Sequence, residues 1–217
     1  MRGTRFDVCA GVVLWREALD RSHQKQLLNE VLGLSKAAPF YRPTMPRSGK
    51  PFSVDETNFG PLGWVSDQTG YRYSPVHPIT GHSWPSIPNL LLELWSDATG
   101  YRAAPECCLV NFYRKAARMG LHQDRDEQAL DAPVLSVSLG DEAVFRIGGT
   151  TRRGVTSSIV LESGDVVVFG GPARLAFHGV DRVVANTSAL IPGGGRINLT
   201  LRRVTVPGSQ KDARPGG

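Results

Sequence analysis

The chain has 217 residues, 41% of them apolar, a formal net charge of +5 and three cysteines. That is enough apolar content for one substantial core, while an odd number of cysteines with two adjacent (Cys107 and Cys108, with Cys9 far off) argues against a disulfide framework and reads as inert buried thiols in a reducing compartment. No apolar run approaches the roughly 18 residues of a membrane span, and the N-terminus lacks a secretory pattern, so a cytoplasmic protein without membrane contact is expected. The basic balance permits a polyanionic partner without requiring one.

In chain order, residues 16 to 33 carry Leu19, Leu27, Leu28, Val31 and Leu32 among charged residues, the period of an amphipathic helix. Residues 36 to 89 are rich in Pro, Gly, Tyr and Ser and read as a loop-rich lid with short strands. Pro88 to Asp97, with Leu91, Leu92, Leu94 and Trp95, suits a second helix, and both helices are expected to pack outside a sheet. From Cys107 onward come β-rich runs at 107 to 113, 133 to 139, 143 to 147, 156 to 161, 165 to 169, 174 to 178 and 196 to 203. Glycine turns separate them, which predicts a closed or double-sheet β architecture. Residues 205 to 217 read as a disordered tail, leaving one domain over 1 to 204, with the lid at about 36 to 89 and the β core at about 105 to 204.

Three patterns carry chemistry. His122-Gln123-Asp124 and the distant His178 supply two imidazoles and one carboxylate, a set that binds one face of Fe(II) and leaves the other open. An isolated HxD is weak evidence, because such triplets arise by chance. Arg196-Ile197-Asn198-Leu199-Thr200-Leu201-Arg202 alternates polar and apolar, so a strand here places Arg196, Asn198, Thr200 and Arg202 on one face. Two guanidinium forks on that face suit a dicarboxylate; without the triad, an exposed basic strand is the better reading. Asn111 and Tyr113 share a face by the same rule, and taken alone they fit an ordinary strand.

Together, NxY, HxD, a distal His and RxNxTxR resemble the AlkB family of Fe(II)- and 2-oxoglutarate-dependent nucleic-acid dealkylases, from about Phe52 to Val204. Gly63-Trp64, Gly70 to Pro75, Trp84-Pro85, Leu121 to Glu127, Val137 to Gly140 and Gly164 to Gly171 extend the likeness. The resemblance implies a mainly β fold with flanking helices: a double-stranded β-helix (jelly roll) core with a nucleotide-recognition lid. It implies His122, Asp124 and His178 as iron ligands and catalytic centre. Arg196, with Asn198 and Tyr113, would grip the distal carboxylate of 2-oxoglutarate, and Arg202 and Asn111 would bind near its chelating end. On the substrate side it implies Trp64 opposite His122 in a base sandwich, Tyr71 toward the phosphate backbone, Asp126 near the alkylated ring, and Arg152, with Arg153 as competitor. The implied reaction is oxidative demethylation of bases such as 1-methyladenine and 3-methylcytosine in single- or double-stranded DNA, with RNA as a further candidate. O2 and 2-oxoglutarate would yield succinate, CO2 and formaldehyde, with the protein acting as a monomer.

Some positions depart from that pattern. Asp55-Glu56 puts acids where the family has apolar lid residues, and Arg42, Arg47 and Lys50 fall in its most divergent part. His77 and His82, on a Pro/Gly loop without cysteines, read as surface residues rather than a second metal site. Two other readings stay open: a 2-oxoglutarate hydroxylase of a protein or small molecule, and a catalytically silent jelly-roll nucleic-acid binder.

Overall fold

A computed structural model of the chain describes residues 2–208. Strand β1 (Thr4–Cys9) and strand β2 (Val12–Arg16) form a hairpin, followed by helix α1 (Arg21–Leu34). Next come β3 (Asp55–Phe59), β4 (Gly63–Asp67), β5 (Gly70–Ser74) and helix α2 (Asn89–Thr99). The C-terminal half adds β6 (Cys107–Tyr113), β7 (Met119–His122), β8 (Val134–Gly140), β9 (Glu142–Ile147) and β10 (Ser157–Leu161). It closes with β11 (Val166–Phe169), β12 (His178–Val184) and β13 (Arg196–Arg202). A seven-stranded sheet runs β1-β2-β11-β8-β13-β6-β3, a four-stranded sheet runs β10-β9-β12-β7, and β4-β5 stands as a separate hairpin. All the pairings are antiparallel. This is the expected jelly roll with helices outside it.

The period-2 rule divides the large sheet into two chemistries. Val110, Phe112, Ile197, Leu199, Leu201, Leu135 and Val137 join Leu27, Leu28, Val31, Leu91 and Trp95 in the core between sheet and helices. Burying each such side chain stabilises the fold by about 1.5–3 kcal/mol. The opposite face of the same strands looks toward the small sheet, where Val12, Leu14, Tyr113, Phe145, Val167, Phe169 and Val180 make a second core. That inner core stops short at one end, and the gap is the cavity described below.

Several boundaries differ from the sequence-based expectation. Helix α1 starts at Arg21 rather than 16, because Asp20 caps it by accepting from the His23 N–H at 2.9 Å, worth about 1 kcal/mol, and residue 16 ends β2. The β1-β2 hairpin was not expected: β1 is an exposed edge strand, so its apolar signal is weak. The run at 174 to 178 is no strand; a 3-10 turn over Gly171–Ala173 delivers the chain to β12, which begins at His178. Glu56 lies not on the lid hairpin but in the large sheet, as part of its edge strand β3. Cys9 is exposed, whereas Cys107 and Cys108 are buried thiols as expected. His77 is buried rather than on the surface: it bonds the Pro39 carbonyl at 2.8 Å, accepts from the Ile79 N–H at 3.1 Å and packs on Trp84 at 5.0 Å. Of the tail, residues 209 to 217 lie outside the described residues.

Candidate active site

Strand β7 ends at His122 and β12 begins at His178, and the two are direct cross-strand partners. Their rings lie 4.5 Å apart between centroids. Each turns its Nδ1 onto the carbonyl two residues back, Gly120 and Ala176, both at 2.9 Å. Bonds of this kind fix the tautomer and free Nε2 as a ligand atom. Asp124 follows β7 by two residues, with its two carboxylate oxygens 3.8 Å from the two Nε2 atoms. The three ligand atoms lie within 4.8 Å of one another, and no other such cluster occurs among the described residues. Glycine is needed at 179, because a Cβ there would stand 2.5 Å from the Met119 carbonyl of β7.

Burial, aided by the neighbouring His122, lowers the His178 pKa to about 4, so its imidazole is neutral, the form that binds metal. Burial would raise the Asp124 carboxyl, but Arg202, with His178 and His122, outweighs it and holds the group well below the usual carboxylate range. Arg202 grips Asp124 with both arms of its fork, Nη2 to Oδ1 at 2.8 Å and Nε to Oδ2 at 3.2 Å. Behind that pair, Arg174 bonds Glu127 at 3.0 Å and the Asp124 carbonyl, and the Tyr73 hydroxyl on the lid hairpin donates to Glu127. Sequence reasoning assigned no role to Glu127 or Arg174, since only the fold brings residues 127 and 174 together. The apparatus therefore continues two charged layers beneath the ligand set.

Strand β13 lies between β6 and β8, pairing Arg196 with Tyr113 and Asn198 with Asn111. Arg196 is fully buried, donates through Nη2 to Ser138 at 2.9 Å, and leaves its Nε and Nη1 hydrogens unpartnered. The Asn111 side-chain oxygen is also buried and unpartnered. A buried guanidinium with spare donors is costly unless an anion meets it, so Arg196 is suited to receive one. Asn198 differs: its amide nitrogen donates to Ser136 and to the Val137 carbonyl, and its oxygen accepts from Thr200. Asn198 thus lines the pocket with its hydrogen bonds already made.

The cavity encloses about 700 Å³, and its lining includes all twelve residues singled out from sequence for metal, cosubstrate and substrate. At the lid side Trp64 stacks on Tyr71 with ring centroids 5.4 Å apart, and its indole N–H donates to Asp126 at 2.8 Å. Asn58 holds the Trp64 backbone through both its N–H and carbonyl at 3.0 Å. Gly63 is dictated by packing, because a Cβ would meet the Trp84 ring at 2.4 Å. Arg152 lines the cavity over Phe177, whereas Arg153 is not among the lining residues.

Residues 11–202 match the 2OG-Fe(II) oxygenase superfamily. The chain is 55% identical over 198 residues to the alpha-ketoglutarate-dependent dioxygenase AlkB homolog of Caulobacter vibrioides, covering 90% of this chain and 89% of that one. The chain belongs to the AlkB family. Identity to alpha-ketoglutarate-dependent dioxygenase AlkB of Escherichia coli is 38% over 200 residues, 90% of this chain and 91% of the other. The solved structure of OsALKBH1 superposes with a TM-score of 0.80 at 32% identity, covering 92% of this chain and 100% of that chain. As an AlkB-family oxygenase the chain uses Fe(II), 2-oxoglutarate and O2. The donor set fits: two imidazoles and a carboxylate for the metal, and spare arginine donors for the cosubstrate.

Proposed function

We propose that the chain is a nucleic-acid dealkylase in which His122, Asp124 and His178 hold Fe(II) and Arg196 receives the distal carboxylate of 2-oxoglutarate. The observation that carries this reading is the single cavity: the open-faced ligand cluster, the unpartnered Arg196 donors and the Trp64-Tyr71 aromatic wall share it. Bound iron, with 2-oxoglutarate and O2, supplies the oxidant that hydroxylates an N-methyl carbon, after which formaldehyde leaves and the base is restored.

The protein's own residues bind, orient and shield. Arg202 neutralises Asp124 and keeps both its oxygens turned toward the histidines. Phe169 and Phe145 pack on the His178 ring at 4.9 and 5.8 Å and keep water from that side. The Trp64 face, steadied by Tyr71 and Asp126, receives a base taken out of its strand, and stacking there contributes about 1–3 kcal/mol. Asp126 adds negative charge that favours a cationic methylated ring. Arg152 stands at the cavity for a nearby phosphate.

Alkylated DNA is the proposed substrate, with RNA tested beside it, and 1-methyladenine and 3-methylcytosine are the proposed lesions. The working unit we propose is one oxygenase domain over residues 1 to 204, acting as a monomer. Its three free thiols fit the cytoplasm. The test is a panel of methylated single- and double-stranded oligonucleotides with iron, ascorbate and 2-oxoglutarate. Base restoration with formaldehyde release is expected. Turnover of 2-oxoglutarate stimulated only by a protein or small molecule would overturn the substrate assignment.

A further inference from the structure

Glu56 is fully buried, it lines the cavity, and neither of its carboxylate oxygens has a hydrogen-bond partner. No residue described above accounts for it: it is no member of the ligand cluster and makes no ion pair. Strand β3 pairs with β6, which carries Asn111 and Tyr113, and also touches β4, which carries Trp64. Across the strand pair Glu56 is in register with Asn111, whose oxygen is likewise unpartnered, and two residues along β3 Asn58 clamps the backbone of Trp64. The acid therefore stands between the cosubstrate row and the aromatic wall.

An ionised carboxylate buried without a partner is far costlier than a neutral acid, which still offers one O–H donor and one C=O acceptor. The groups facing it do not supply a counter-charge. Tyr41 bridges its backbone, Tyr113 is on β6, and Arg202 on β13 is engaged by Asp124. Burial accordingly pushes the Glu56 carboxyl up to about 8, against the opposing pull of Arg202. We infer that Glu56 is a specificity-determining residue whose O–H and C=O meet the polar edge of the methylated base, so that one pocket takes bases edged by an exocyclic amine or by a carbonyl. The amine donates to its C=O; the carbonyl accepts from its O–H. This inference rests on the dealkylase reading above.

The test compares wild type, Glu56→Gln and Glu56→Leu on oligonucleotides carrying 3-methylcytosine, whose edge is an amine, and 3-methylthymine, whose edge is a carbonyl. Below pH 8, Glu56→Leu raises KM for both by about tenfold with kcat little changed, the loss of one buried hydrogen bond, and the amide of Glu56→Gln rescues both. Above pH 8, wild-type KM for 3-methylthymine rises relative to Glu56→Gln while that for 3-methylcytosine does not, because an ionised Glu56 can only accept. The affinity of the iron-loaded protein for 2-oxoglutarate, measured by fluorescence quenching, stays unchanged in both variants. A KM indifferent to Glu56→Leu, a weakened 2-oxoglutarate affinity in its place, or identical wild-type and Glu56→Gln pH profiles would each overturn the inference. Should Glu56→Leu fail to fold, the Glu56→Gln pH comparison decides by itself. Wild-type protein that releases formaldehyde from neither oligonucleotide would refute the dealkylase reading itself.

Discussion

Glu56→Gln should flatten the dependence of stability on pH. In the folded chain Glu56 stays protonated until about pH 8, whereas an ordinary glutamate ionises near 4.5. Between those values the folded state binds one proton more than the unfolded state, so unfolding free energy falls as pH rises. The slope from this one group is about 1.36 kcal/mol per pH unit, which accumulates to about 5 kcal/mol by pH 8 and then levels off. Glutamine has the same shape and no such term. Other titrating groups, including His178 and Asp124, are common to both proteins, so the difference between the two curves isolates Glu56. Urea unfolding at intervals from pH 5 to pH 8 should show Glu56→Gln gaining on wild type by about 1 kcal/mol or more per pH unit. Parallel curves would mean that Glu56 finds a partner or water in solution, and the argument from its burial would fail.

Arg174→Leu should cost about 3–5 kcal/mol in urea unfolding, because it leaves the buried Glu127 carboxylate without its 3.0 Å partner; a loss under 1 kcal/mol would show that Tyr73 and Arg202 suffice. Arg196→Ala should weaken 2-oxoglutarate binding by about 1.5–3 kcal/mol, whereas Asn198→Ala, whose amide is already bonded within the sheet, should weaken it far less; equal losses in a binding titration would contradict the assigned division of labour. Trp64→Ala should lose about 1–3 kcal/mol of binding to a methylated oligonucleotide and leave 2-oxoglutarate affinity intact. Asp126→Asn should penalise cationic lesions more than neutral ones, with a smaller loss common to both because the bond to the Trp64 indole also weakens; KM measured on each lesion class separates the two effects.

The residues proposed for the cosubstrate were legible because they sit on β6 and β13, whose period-2 pattern is visible in the chain, and those proposed for the metal because their residue types form a ligand set. Arg196 to Arg202 needed only the strand rule to share a face, and β13 does present them together. The resemblance to AlkB proteins then tied the HxD turn to His178. What remained hidden depends on long-range closure. Glu127 and Arg174 are unremarkable letters until the 3-10 turn before β12 and the loop after β7 meet behind Asp124. The strand rule puts Asn198 beside Arg196, but not that Ser136 and Val137 on the neighbouring strand already engage its amide nitrogen. Glu56 read as a lid acid because Pro and Gly crowd its surroundings, although its pairing with Asn111 places it in the main sheet. His77 looked like a surface residue because a Pro/Gly loop gives no local sign of being folded inward.

The most direct test of the central claim is to follow succinate and formaldehyde together while the purified protein, loaded with Fe(II), works on an oligonucleotide carrying a single 3-methylcytosine. The account predicts that the two products appear in equal amounts, that unmodified cytosine is restored, and that all three cease in His178→Ala and Asp124→Ala. Succinate formation without formaldehyde, or restoration that persists in either variant at saturating iron, would contradict it.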